Sequence, residues 1–183
     1  QLERALALRP IGAVRVGFLH GPRQAEAIAH FLRSASPEAS VFAPMLRAGA
    51  ENLVDDETRG AMARHLYAAV RVVVARAAEL PSLTGREAED LSGLRDAAKR
   101  LREQGARAVV ISGWIAHGRV LDLLDDVGEV ALLDTARIHA AHVAGLAGSY
   151  AAALAAHLAR GLALRDAAEA AQRYVGFRIV RGR

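Results

Sequence analysis

"AVRVGFLHGPRQAEAIAHFLRSASPEASVFAP", residues 13–44, sets the fold. It opens with a short apolar run rich in valine, 13–19, which reads as a buried strand. Pro22 then sits at a helix start, where a missing N–H is tolerated. "QAEAIAHFLRSA" follows with apolar residues at helical spacing. "SVFAP", 40–44, is a second strand, and its proline stops it.

The same alternation continues along the chain. "DDETRGAMARHLYAAV" reads as a helix, with Asp55 and Asp56 supplying a cap and first-turn acids. "RVVVA", 71–75, is a third strand. Thr84 and Gly85 precede a helix expected from about 87 to 104, closed by Gly105. "RAVVISG", 107–113, is a fourth strand. "VLDLLDD" and "EVALLD" flank Val127 and Gly128 and read as a hairpin. Two helices, roughly 146–160 and 164–176, close the chain, and another covers 1–9. Strands alternating with helices predict an α/β fold, a mostly parallel sheet with helices on both faces and a late antiparallel hairpin. The length of 183 residues suits one domain, 1–183.

Composition narrows the function. A hydrophobic fraction of 52% with 24% charged residues fits a globular protein, and no apolar run is long enough to span a bilayer. No signal peptide is visible, since Gln1 opens into the amphipathic pattern "QLERALALRP". A start without Met, already inside a helix, is expected of a chain that begins partway into a longer protein. Cysteine is absent, which excludes disulfides, thiolate nucleophiles and Cys-ligated metals and fits a cytoplasmic location. The net charge is +4 and the pI about 10.3. Arginine supplies almost all of the positive charge, Lys99 being the only lysine. Those arginines are scattered among acids, and aromatics are only 4%, which argues against a nucleic-acid partner.

In such sheets ligands bind beyond the carboxyl ends of the strands. That directs attention to His20 and Gly21, to 44–49, to 75–79, to 112–117, and to the Gly/Ala turn 145–148. "GLAGS" opens a small-residue helix there. Free N–H groups and the helix dipole favour an anion at such a place. Two glycines starting a tightly packed helix explain the same stretch.

Several stretches together resemble the hydroxymethylpyrimidine/phosphomethylpyrimidine kinases of thiamine biosynthesis, a branch of the ribokinase-like fold. "AVRVGFL" is similar to the family's "AVKIGML", "NLVDDE" to its "LLDDE", and "ELPSLTGRE" to its "EAELLTGR". "GARAVVISGW" is similar to "GAKAVLVKGG", and "AALAAHLARGLALRDAAEAAQRYV" to its C-terminal helix pair. The resemblance covers essentially the whole chain. Gln1 matches a helix that follows the family's opening strand and its Gly-rich "AGSDxSGGAG" segment. The resemblance implies ATP-dependent phosphoryl transfer to a pyrimidine with Mg²⁺, no membrane, and a dimer or higher assembly.

The departures fall on the motifs. "DPVM" becomes "APML", with Ala43 in place of the acid. "TPNxPE" keeps its acid as Glu79 but has Arg76 for asparagine. "VKGGH" becomes Ile111, Ser112, Gly113, Trp114, Ile115, without the lysine. "GTGC" or "GTGD" becomes Gly145, Leu146, Ala147, Gly148, so glycine stands where the resemblance implies the base. A lost general base lowers a rate by about 10²–10⁴. The expected anion- or nucleotide-binding residues are therefore Gly145, Ala147, Gly148, Ser112 and Gly113. Glu79 is the candidate metal contact and His20 the candidate substrate contact. Trp114 either fills an emptied nucleotide pocket or stacks on a ring. Ser112, Trp114 and the altered turn predict weak ATP binding. His139 and His142, spaced H-x-x-H with His157 further on, lack an acid at helical spacing for a metal site. Asp125 and Asp126 are expected to face solvent, Asp134 to pair with Arg137, and Tyr174 and Phe177 to be core or interface positions. Two functions compete: a phosphomethylpyrimidine kinase with weak or no transfer, and a non-catalytic relative binding a small ligand or a protein.

Overall fold

The computed structural model describes residues 11–127, 129–138 and 145–181. The opening unit forms as expected. Strand β1 (Ala13–Val16) leads to helix α1 (Pro22–Ala35), with Pro22 at its first position, and the chain returns as β2 (Ala39–Phe42). β1 and β2 pair in parallel, Ala13 beside Ala39 and Val16 beside Phe42. A small antiparallel ribbon follows, β3 (Arg47–Ala48) and β4 (Glu51–Asn52).

Helix α2 (Asp56–Ala61) is capped by Asp55, whose carboxylate accepts the Thr58 N–H at 2.8 Å. The helix widens into a π turn over Met62–Leu66 before β5 (Val72–Arg76). A short helix not expected from the sequence, α3 (Leu80–Thr84), precedes the helix expected from about 87 to 104, which forms as α4 (Leu91–Glu103). Gly85 takes a left-handed conformation with φ of 76° and ends the first, while the Asp90 side chain caps the second through the Gly93 N–H. Strands β6 (Ala108–Ala116), β7 (Arg119–Asp126) and β8 (Glu129–Ala136) form an antiparallel meander, and helices α5 (Leu146–Ala159) and α6 (Leu164–Arg181) close the described chain. The last helix runs five residues past its expected end at 176. The expected helix over 1–9 lies outside the described residues.

The main sheet has the order β1-β2-β5-β6-β7-β8. Its first four strands are parallel and its last two antiparallel. Side chains alternate across a strand, so β5 sends Val73 and Ala75 to one face and Val72 and Val74 to the other. On the first face they meet Leu66, Leu94 and Leu101; on the second they meet Ala151, Leu154, Leu158, Ala167 and Ala171. Burial on both faces is why these strands read as unbroken apolar runs. No helix among the described residues is long and apolar enough to cross a membrane.

Three expectations about side chains change here. Asp125 does not face solvent: its side chain is 15% exposed and lies 3.8 Å from Arg102, because β7 packs beside α4. Asp134 pairs at 2.6 Å with Arg119 on the neighbouring strand, not with Arg137. Tyr174 and Phe177 are exposed, so neither is core; Arg181 lies 4.2 Å over the Phe177 ring.

Candidate functional site

Parallel pairing brings the carboxyl ends of β2, β5 and β6 to one edge, and α5 starts beside them. A cavity of about 610 Å³ opens there. Ala43, Arg76, Ser112 and Gly148 all line it. They come from four separate stretches, and they are the positions at which the sequence departs from the resembled motifs. The register of β5 on β6 sets Arg76 directly beside Ser112. Gly145, Leu146, Ala147 and Gly148 line it from the start of α5.

Gly145 is the N-cap of α5, with φ of 78°, a conformation that suits glycine. No side chain among the described residues caps this helix, so none of them occupies its first-turn N–H groups. A Cβ built on Gly148 would lie 3.6 Å from Nη2 of Arg15. The guanidinium of β1 therefore sits against the first turn of α5.

Arg15 is one of four arginines lining the cavity, with Arg47, Arg76 and Arg137. Among the described lining residues there is no Asp, Glu, His or Cys. Arg15, Arg47 and Arg137 form no ion pair among the described residues. Arg76 is different. Its Nη2 donates to Oε1 of Glu79 at 2.5 Å, and that hydrogen bond holds the guanidinium charged above its usual range. Glu79 is 1% exposed; its Oε1 also accepts the Leu46 N–H at 3.1 Å, while Oε2 has no hydrogen-bond partner.

A divalent ion of the magnesium type needs oxygen ligands in near-octahedral order, usually from one or two carboxylates and substrate phosphates. Glu79, the carboxylate expected to meet it, has Oε1 engaged by a guanidinium and a backbone N–H, which leaves one buried oxygen, Oε2, and no second carboxylate among the described lining residues of the cavity. Among the described residues no group of three or more His, Asp or Glu side chains could hold a metal. The residues present do not fit the ion.

Of the residues expected from the sequence, Gly145, Ala147, Gly148 and Ser112 meet in the cavity. Gly113 does not. It lies at an irregularity of β6, with φ of 76°, and lines a separate hollow of about 300 Å³ with Trp114. Trp114 packs against the core from there. His20 is exposed and outside the cavity; its backbone N–H donates to Oε1 of Gln24. His139 and His142 lie outside the described residues.

One polar residue escaped the sequence reading. Asp122, 2% exposed, sits mid-strand in β7 and accepts the Gly113 N–H at 2.8 Å. Its other oxygen faces Nε2 of Gln172 at 3.4 Å. Tyr150 of α5 lies close by, its hydroxyl without a hydrogen bond of ordinary geometry yet near enough to couple to the carboxylate. Burial pushes the Asp122 carboxyl up to about 6, against the lowering effect of the Gly113 N–H, Tyr150 and Gln172. Period-two parity was the available signal: Asp122 shares a strand face with Leu124, which packs on α5 and α6.

The family model for phosphomethylpyrimidine kinase matches residues 1–182. The chain belongs to the phosphomethylpyrimidine kinase family. A bifunctional thiamine biosynthesis protein of Geobacter sulfurreducens is 30% identical over 96% of this chain and 36% of its own length. A hydroxymethylpyrimidine/phosphomethylpyrimidine kinase of Synechococcus elongatus is also 30% identical, over 96% of this chain and 67% of that one. Among solved structures, a Staphylococcus aureus pyridoxal kinase in complex with AMP-PCP superposes with a TM-score of 0.89 at 24% identity. It covers 98% of this chain and 66% of that one. A Clostridium difficile phosphomethylpyrimidine kinase gives 0.79 at 17% identity over 97% and 73%. These likenesses establish the ribokinase-like fold of this phosphomethylpyrimidine kinase family member. The chain spans about a third of the first relative and about two thirds of the others.

Proposed function

We propose that this chain serves thiamine biosynthesis as a phosphomethylpyrimidine kinase-type protein whose cavity holds a phosphoryl group without transferring it. Family membership supports the pathway, and supports ATP and a phosphorylated pyrimidine as sources of that group. The observation that carries the second half is the placement of Arg15 against Gly148. Where resemblance marks the proton acceptor there is no side chain, and the nearest charged group is a cation.

Transfer needs positioning, charge neutralisation and a base for the hydroxyl proton. The cavity offers the first two. Arg15, Arg47 and Arg137 supply positive charge, and the first turn of α5 supplies backbone N–H groups. No lining side chain among the described residues accepts a proton at neutral pH. Ser112 offers a hydroxyl where the resembled motif has a cation, and Trp114 packs against the core beside a separate hollow, so nucleotide affinity is expected to be weak.

Purified protein incubated with ATP, Mg²⁺ and hydroxymethylpyrimidine or its phosphate tests this. Product is expected to stay at the level of a no-protein control, while titration calorimetry detects pyrophosphate binding that weakens with added salt. Clear ATP-dependent turnover would return the chain to the active kinases.

A further inference from the structure

We propose that the Arg76 guanidinium takes the place of the divalent cation, so that this cavity binds a di- or triphosphate group without metal. The inference rests on the phosphoryl-binding function proposed above and deepens it.

Three observations converge. Arg76 is tied to Glu79 at 2.5 Å, and Glu79 is buried. The carboxylate oxygen that binds Arg76 also accepts the Leu46 N–H, so it is held from two sides. The same guanidinium lines the cavity beside Ser112, in a lining that includes the first turn of α5. A metal ion at Glu79 would find one oxygen already bonded to the Arg76 guanidinium and the other, Oε2, buried on a residue that does not line the cavity. The arginines add like-charge repulsion to that, screened by solvent because Arg15, Arg47 and Arg137 are exposed. A phosphate group meets the opposite situation: planar guanidinium groups donate paired hydrogen bonds to its oxygens.

The ligand chemistry follows from the charge. Arg15, Arg47 and Arg137 have no carboxylate partner among the described residues, and the charge of Arg76 is balanced by Glu79. A group carrying about three negative charges matches this set, as free pyrophosphate or the polyphosphate tail of a nucleotide does. Mg²⁺ bound to such a tail removes two of those charges, and with them part of the attraction.

The test is calorimetric titration of the whole chain with inorganic pyrophosphate, once in EDTA and once in 5-millimolar-range Mg²⁺, about the level that converts most pyrophosphate to its magnesium complex. Affinity in EDTA is expected to exceed that in Mg²⁺ by threefold or more. E79Q, which releases Arg76 from its carboxylate, is expected to tighten metal-free binding several-fold. R76N is expected to weaken it and to make binding improve when Mg²⁺ is added. Binding by the unmodified chain that tightens with Mg²⁺ overturns the metal replacement and leaves phosphoryl binding standing. Absence of pyrophosphate binding in both buffers overturns phosphoryl binding and the metal replacement with it. Both readings come from the unmodified chain, so neither depends on a variant that folds.

Discussion

Gly148 decides most at the scale of single residues. It lies in the first turn of α5, and among the described residues a Cβ there meets only the flexible end of Arg15, at ordinary contact distance. Nothing in the backbone demands glycine at this position. Replacing it by Asp tests the site without straining the fold. A first-turn acid gains from the helix dipole, and a side chain in place of glycine reduces the freedom of the unfolded chain; together these are worth about 1 kcal/mol. G148D is therefore expected to raise the thermal midpoint by a few degrees. The same carboxylate would pair with Arg15 and cancel one of the cations without an acid partner. Pyrophosphate affinity is expected to fall about tenfold, equivalent to about 1.4 kcal/mol. Calorimetry and thermal melting on one preparation read both effects. A variant more stable and equally tight for pyrophosphate would remove Arg15 from the site.

At the scale of elements, α5 and α6 show how small residues set a close contact. Ala151 and Ala155 of α5 and Ala167, Ala168 and Ala171 of α6 are buried in one cluster with the second face of the sheet. Enlarging one of them forces the pair apart. A167L is expected to destabilise by about 1–3 kcal/mol, read as a lower urea midpoint at unchanged slope. A152L, at an exposed position of α5, should stay within about 0.5 kcal/mol of the parent. The same elements show what the sequence discloses. Strands buried on both faces announce themselves as valine runs, and α5 and α6 as alanine-rich periodic segments. The β3–β4 ribbon does not, because its four residues are exposed and carry no apolar alternation. Half of the site was legible by one rule, that ligands lie past the carboxyl ends of parallel strands; it found Ser112 and the turn from Gly145 to Gly148. The grouping of the arginines was not, although Arg47 and Arg76 lie in stretches that rule picked out. Arg15, Arg47 and Arg137 are far apart in a chain rich in arginine, and only the sheet order brings them to one cavity. Arg76 and Glu79 were visible as residues but not as a pair, since three-residue spacing becomes contact only when the strand end turns directly into the short 3-10 turn Ala77–Glu79.

Taken as a whole, the molecule is tied together under its antiparallel half by Asp122. Its carboxylate joins the irregular corner of β6 at Gly113 to α6 at Gln172, with α5 close by at Tyr150. Gly113 follows Ser112, so the same link fixes one wall of the arginine-lined cavity to the helices behind it. Holding a charge in so buried a place has a consequence for global stability. Desolvation raises the folded-state value to about 6, against 3.8 for an unperturbed carboxyl. The folded protein therefore binds this proton more tightly than the unfolded chain. The stabilisation is complete below about pH 4 and is lost as pH rises through about 6; its full extent is about 3 kcal/mol. Other carboxylates act in the opposite sense, Asp55 among them, lowered chiefly by its hydrogen bond to Thr58. The total profile mixes both, so the contribution has to be isolated by difference. Asn at position 122 keeps an oxygen for the Gly113 N–H and carries no charge. The difference in unfolding free energy between D122N and the parent is expected to shift in favour of the variant by about 2–3 kcal/mol between pH 4 and pH 7. Any constant offset from altered hydrogen bonds drops out of that slope. Urea unfolding at four or five pH values supplies the measurement, and parallel profiles for the two proteins would mean that Asp122 stays ionised in the fold throughout that range.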